Sequence, residues 1–356
     1  MSRTSLLGLL IALSPVATEL MAQTPEAASP SESVAVRFVS DEADAVLAIL
    51  RERQAGRTPA AGDWTTLFAT AGYRALERRE TAMGRGFSKD GFRAFVLSDT
   101  LLARAAPLER TLAAWKQMDV RGAASRALVY LPTGTPLVAT VFLEIKPLAN
   151  SFVFDLDGAR AIFLYVDPGK TPGQVENTVA HELHHAGVAA ACRGADDSTL
   201  ATPARQAREW LTAFGEGLAM LAAAGGPDVH PHALDDSTIR ARWDRDVASF
   251  NPDVARVEAF LRDVLDGRLS PDSTRTVGMS FFGIQGPWYT VGWEMAVKVE
   301  RTFGRDRLVR ATCHPVDLLV AYNAAVRVGN NPGHLALWSE DLLRQLGAAR
   351  RSDGEQ

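Results

Sequence analysis

The run His181-Glu182-Leu183-His184-His185 constrains this chain more than any other stretch, because its chemistry works only on a helix. Histidines four residues apart project from one side of an α-helix, one turn apart, and two imidazoles so placed can grip a single tetrahedral Zn2+. Glu182 follows the first of them, the position from which a carboxylate serves as general base to a metal-activated water. The flanking residues predict the helix independently. Thr171-Pro172-Gly173-Gln174 reads as its start, with Thr171 as cap, Pro172 at the first helical position and Gln174 completing a capping box. Val175, Val179, Leu183 and Ala186 form a packing face on a different side from His181 and His185. His184 reads as a packed or orienting histidine, because a ligand pair of His181 and His184 would place Glu182 between the ligands.

A catalytic zinc needs a third protein ligand and one open position. No His-x-x-Gly-x-x-His extension follows His185, which excludes the metzincin type. His230 and His232 flank Pro231 in a polar loop and are weak candidates. The next helix, opened by Thr202-Pro203 and closed by Gly225-Gly226-Pro227, carries an apolar stripe of Trp210, Leu211, Phe214, Leu218 and Leu221. Glu216 lies opposite that stripe, between Gly215 and Gly217. Each glycine inside a helix costs about 1 kcal/mol relative to alanine, which is tolerable where another helix and its metal approach closely. Glu216 is therefore the expected third ligand. Glu209, seven residues earlier on the same expected face, is the alternative, as a ligand or as an acceptor orienting a ligand histidine.

Around this helix the pattern is α+β and helix-dominated. Residues 40–118 carry apolar residues at helical spacing, as in Ala43, Val46, Leu47 and Leu50. Four runs rich in β-branched and aromatic residues follow, at 127–131, 137–145, 152–154 and 161–166, separated by Pro, Gly and Asp as strands are by turns. After residue 171 the chain reads as helical almost to its end. The expected organisation is an N-terminal helical region at 34–124, a catalytic region at 125–349 with a small sheet ahead of the metal-binding helix, and a polar tail at 350–356. With 47% hydrophobic residues among 356, the chain can bury one large core or two packed ones. A net charge of -4, with no basic stripe and no arginine-rich arm, speaks against nucleic acid as a partner.

The first 22 residues read as a signal peptide: Arg3, an apolar Leu6–Leu13 too short to span a bilayer, and Leu20-Met21-Ala22 at the cleavage point. Residues 23–33 read as a flexible linker. The expectation is an exported protein, periplasmic or secreted, without stable membrane insertion; oligomeric state is open. Cys192 and Cys313 can pair in an oxidising compartment or stay as separate buried thiols, and the sequence leaves this open.

With His181-Glu182-Leu183-His184-His185 followed by Phe214-Gly215-Glu216-Gly217-Leu218-Ala219, the chain resembles a gluzincin. These are zinc peptidases whose third ligand is a glutamate on a downstream helix. Glu216-Gly217-Leu218-Ala219 is similar to the Asn-Glu-Gly-Phe-Ala segment of the aminopeptidase branch, and maps the ligand onto Glu216. The thirty residues between His185 and Glu216 are more than that branch uses, and its Gly-Ala-Met-Glu-Asn motif is absent, so aminopeptidase activity is not implied. A closer resemblance is to a bacterial family of candidate zinc-dependent peptidases labelled as a domain of unknown function. It shares the His-Glu-x-x-His helix, the Glu-Gly-Leu-Ala helix and a later Tyr-x-x-Gly block, here Tyr289-Thr290-Val291-Gly292, over roughly residues 125–330. The resemblance implies a zincin-like fold, and a hydrolase, a peptidase by expectation, acting on peptide or protein. An edge strand beside the metal helix, here 161–166, would hold the substrate. Tyr289 either donates to the developing oxyanion or packs with Trp288 and Trp293, and His314 is a further candidate donor. The rival reading is a non-catalytic exported binding domain with a structural or vestigial zinc site, which would need a fourth protein ligand such as His184 or Glu209.

Overall fold

The computed structural model describes residues 34–156, 159–192, 200–328 and 334–347. The signal peptide, the linker and the polar tail read above lie outside them. The chain begins with strand β1 (Val34–Val39), then runs through α1 (Asp41–Gln54), α2 (Ala61–Ala69), α3 (Ala71–Ala82), α4 (Lys89–Val96), α5 (Asp99–Ala103), α6 (Ala105–Trp115) and α7 (Val120–Leu128). Strands β2 (Leu137–Glu144), β3 (Phe152–Leu156) and β4 (Ala159–Tyr165) follow. The rest is helical: α8 (Pro172–Ala191), α9 (Thr202–Leu211), α10 (Gly215–Ala224), α11 (Ser237–Ala248), α12 (Phe250–Leu265), α13 (Pro271–Ser280), α14 (Pro287–Phe303), α15 (Arg305–Thr312), α16 (Pro315–Val328) and α17 (Glu340–Gln345). The architecture is helix-dominated α+β, as expected.

The sheet has the order β1-β2-β4-β3, with β1/β2 and β2/β4 parallel and β3/β4 antiparallel. Three sequence expectations change. The strand expected at 127–131 is instead the end of α7 and a turn, because α7 presents Ala123, Ala124 and Ala127 to the core at helical spacing. β1, in the region read as helical, is a strand that pairs with β2. The strand at 161–166 is not an edge: β4 lies inside the sheet, with Ala161, Ile162, Phe163 and Leu164 all at most 2% exposed. A continuous apolar run of this kind marks a strand covered on both faces. The edge next to it is β3, half-buried along its length except at the exposed Asp155.

The core has two parts. One joins α1–α7, the sheet and the Val175, Val179, Leu183 face of α8; the other gathers α9, α10 and α12–α17 around Trp288, Val291 and Met295 of α14. α8 thus stands between them, its predicted apolar face against the first core and His181 and His185 toward the second. Cys192 and Cys313 form a disulfide that ties the end of α8 to the end of α15. Among the described residues, no helix is long and apolar enough to cross a membrane.

Candidate metal centre

α8 begins as its sequence requires. The Thr171 hydroxyl accepts from the Gln174 N–H, and the Gln174 side chain accepts from the Thr171 N–H at 2.8 Å. Gln174 also donates to Asp235 at 2.7 Å, anchoring the start of the helix to the loop before α11. Two turns on, His181 and His185 project toward α10.

The helix expected over 202–225 is broken. α9 ends at Leu211, a 3-10 turn spans Thr212–Phe214, and α10 restarts at Gly215 and stops at Gly225, whose left-handed φ of 90° suits glycine. The Thr212 hydroxyl bonds back to the Glu209 carbonyl at 2.6 Å, tightening the break. The two glutamates differ in burial: Glu209 is exposed, while Glu216 is half-buried against α8.

Gly217 explains why Glu216 sits where it does. A Cβ at Gly217 would lie 2.1 Å from the Trp293 backbone nitrogen and 2.6 Å from the Tyr289 carbonyl; one at Gly292 would lie 2.6 Å from the Phe214 carbonyl. The two glycines let α10 and α14 touch backbone to backbone, which brings Tyr289 beside Glu216. The close neighbour is therefore α14 rather than the metal helix. Gly215 has a different role, since a Cβ there would meet nothing within 4 Å.

The Nε2 atoms of His181 and His185 are 3.1 Å apart, and Glu216 Oε2 lies 3.1 Å from the first and 3.3 Å from the second. Among the described residues, this is the one group of three histidine, cysteine or acidic side chains whose ligand atoms all lie within 4.8 Å of one another. The separations fit a shared ion: bonds of about 2.0–2.2 Å in a tetrahedron place ligand atoms roughly 3.3–3.6 Å apart. Burial pushes the Glu216 carboxyl up, but hydrogen bonds from His181 and His185 outweigh it and hold the group well below the usual carboxylate range. Burial lowers His185, and the Glu216 hydrogen bond and charge more than reverse this.

Tyr289 faces this cluster. Its ring stacks on His181, with centroids 6.4 Å apart and planes 17° apart, and burial, then the charge of Glu216 and a hydrogen bond to it, hold the phenol protonated well above its usual range. Trp288, expected as its packing partner, is fully buried among Trp210, Phe214 and Phe281 instead. The Glu182 carboxylate is close enough to act electrostatically on both His185 and Tyr289. His184 is fully buried and does not join the cluster. Burial first, then the imidazoles of His185 and His181, push it down to about 3, so it is a neutral packed histidine. His230 pairs with Asp244, and His232 with Asp235 and Gln285, so neither joins the cluster. His314 is exposed and lines a cavity that borders His185.

A family model described as "Putative zinc dependent peptidase (DUF5700)" matches residues 64–331, three quarters of the chain. The chain belongs to this family. The match begins in α2, so the family's span includes most of the N-terminal helices as well as the stretch from α8 to α14 that carries the motifs. No curated protein and no solved structure matches the chain.

Proposed function

We propose that this family member is an exported zinc-dependent hydrolase that cleaves an amide bond in a peptide or protein. The observation that carries this is the convergence of His181, His185 and Glu216 with Glu182 and Tyr289 beside them. Zinc, when bound, supplies a water whose pKa falls to about 7. His181, His185 and Glu216 hold the ion. Glu182 takes the proton of the attacking water and passes it to the leaving amine. Tyr289, kept protonated by burial and by Glu216, donates to the oxyanion as the carbonyl becomes tetrahedral. Export rests on the N-terminal residues 1–22.

The rival reading, a binding domain with a structural zinc, calls for a fourth protein ligand. Among the described residues the cluster stops at three, with Glu209 exposed and His184 fully buried outside it. The test is Glu182→Gln, assayed for zinc content and for cleavage of a mixed peptide library. Retained zinc with turnover lost is the expected result. Unchanged turnover would remove Glu182 from the mechanism.

A further inference from the structure

A cavity of about 460 Å³ opens between the second half of α8, the α9–α10 break and α15–α16, within the size range of small-ligand pockets. It borders the metal centre at His185, which lines the cavity and also belongs to the cluster. Its walls are largely apolar, built from Val188, Leu211, Phe214, Leu218, Val316 and Leu318. The Cys192–Cys313 disulfide lines it as well and pins the two helices that form its far side. The charged groups along it are mixed: Arg208, Glu209 and Asp317. Arg208 is already committed to the carbonyls of Leu346 and Gly347. Such a lining selects no strong charge and favours an apolar group.

Gly215 is the telling residue. It lines this cavity immediately before the ligand Glu216, in ordinary right-handed helical geometry (φ -54°) that any residue adopts. Neither backbone strain nor close packing calls for glycine there, since a Cβ would meet nothing within 4 Å. What a side chain at 215 would take up is open space beside the cluster. Gly217, two residues on, is glycine for the opposite reason.

We propose that this cavity is the specificity pocket of the hydrolase, that it receives an aromatic or branched aliphatic side chain next to the scissile amide, and that Gly215 keeps it open toward the metal. The proposal rests on the peptidase reading above. The test uses zinc-loaded full-length protein and two zinc-chelating probes, acetohydroxamate and 3-phenylpropanohydroxamate, titrated by calorimetry with zinc content measured in parallel. Wild type should bind the phenyl probe about 10-fold or more tighter, the scale on which apolar pockets discriminate. Gly215→Leu should bring the ratio close to one, and Gly215→Ala should give an intermediate ratio, both with one zinc retained. A wild-type ratio near one, or a ratio unchanged in zinc-loaded Gly215→Leu, overturns the pocket while leaving the metal centre standing. Wild type that takes up no zinc overturns both readings together.

Discussion

Glu216 and Glu144 are both carboxylates withdrawn from water, and their neighbours treat them in opposite ways. Glu216 meets two imidazoles at 3.1 and 3.3 Å, and the resulting hydrogen bonds keep it ionised against burial. Glu144, at the end of β2, is 0% exposed, and neither of its oxygens has a hydrogen-bond partner. Burial, then the charge of Glu42, drives its carboxyl well above the usual range. Glu42 on α1 is also fully buried; its Oε2 accepts from the Ile145 N–H at 3.0 Å, yet burial raises it to about 8. Lys146, lowered to about 8 by burial, donates to the carbonyls of Leu148 and Asn150 and to Asn150 Oδ1. Buried acids are thus not in themselves a site. One set offers converging lone pairs and holds its charge; the other sheds its charge and packs as neutral core.

Removing the proposed ligand Glu216 should separate the two sets most sharply. Glu216→Ala is expected to weaken zinc binding about 100-fold or more, since even groups that only support a ligand cost 10- to 100-fold, whereas Glu144→Gln should leave zinc affinity unchanged. Competition with a chelator measures both, and equal affinity in wild type and Glu216→Ala would move the third ligand elsewhere. Tyr289→Phe comes next. It keeps the ring on His181 but loses the hydroxyl, and should lower kcat about 100-fold with zinc retained. A loss of zinc instead would make Tyr289 a support for Glu216.

A smaller contrast lies within the Gly215-Glu216-Gly217 run. Gly217→Ala drives a methyl into the Trp293 backbone and should destabilise by about 1–3 kcal/mol in urea unfolding. Gly215→Ala should be neutral or stabilise by roughly 0.4–1 kcal/mol, through the lower freedom of its unfolded chain. Equal effects at the two positions would show that α10 and α14 are not in backbone contact.

A further prediction concerns pH. Glu42 binds its proton more tightly folded than unfolded, so between about 4.5 and 8 the folded state carries the extra proton, and stability falls as pH rises through that window. Glu144 has the same sign. Lys146, lowered from 10.5 to about 8, gives the reverse slope only above pH 8. Glu42→Gln can still accept from Ile145 and should flatten the decline in Tm between pH 5.5 and 8. A wild-type Tm that does not decline over this range would argue that neither acid is neutral in the fold.

Several features were legible in the residues because they depend on local spacing. The cap at Thr171–Gln174, the packing face of α8 and the four-residue offset of His181 and His185 follow from helix periodicity, and all three appear in the structure. Glu216 was reached through its flanking glycines, although only Gly217 behaves as that argument required, and toward α14. The misreadings were non-local. The apolar run 127–131 fits a strand or a helix end equally, and only packing of α7 decides it. β4 became interior because β3 pairs with its other side, which no run of residues announces.

By itself the sequence determined a capped helix with two histidines on one side and a glutamate following the first, a downstream helix bearing a carboxylate between glycines, and helix-dominated α+β order. These are short-range consequences of a 3.6-residue repeat and of capping chemistry. Tertiary structure alone decided that Glu216 rather than Glu209 meets the histidines, that Tyr289 turns toward them, that Cys192 pairs with Cys313, and that an apolar cavity opens beside His185. Each of these depends on groups from elements far apart in the chain coming within a few ångströms.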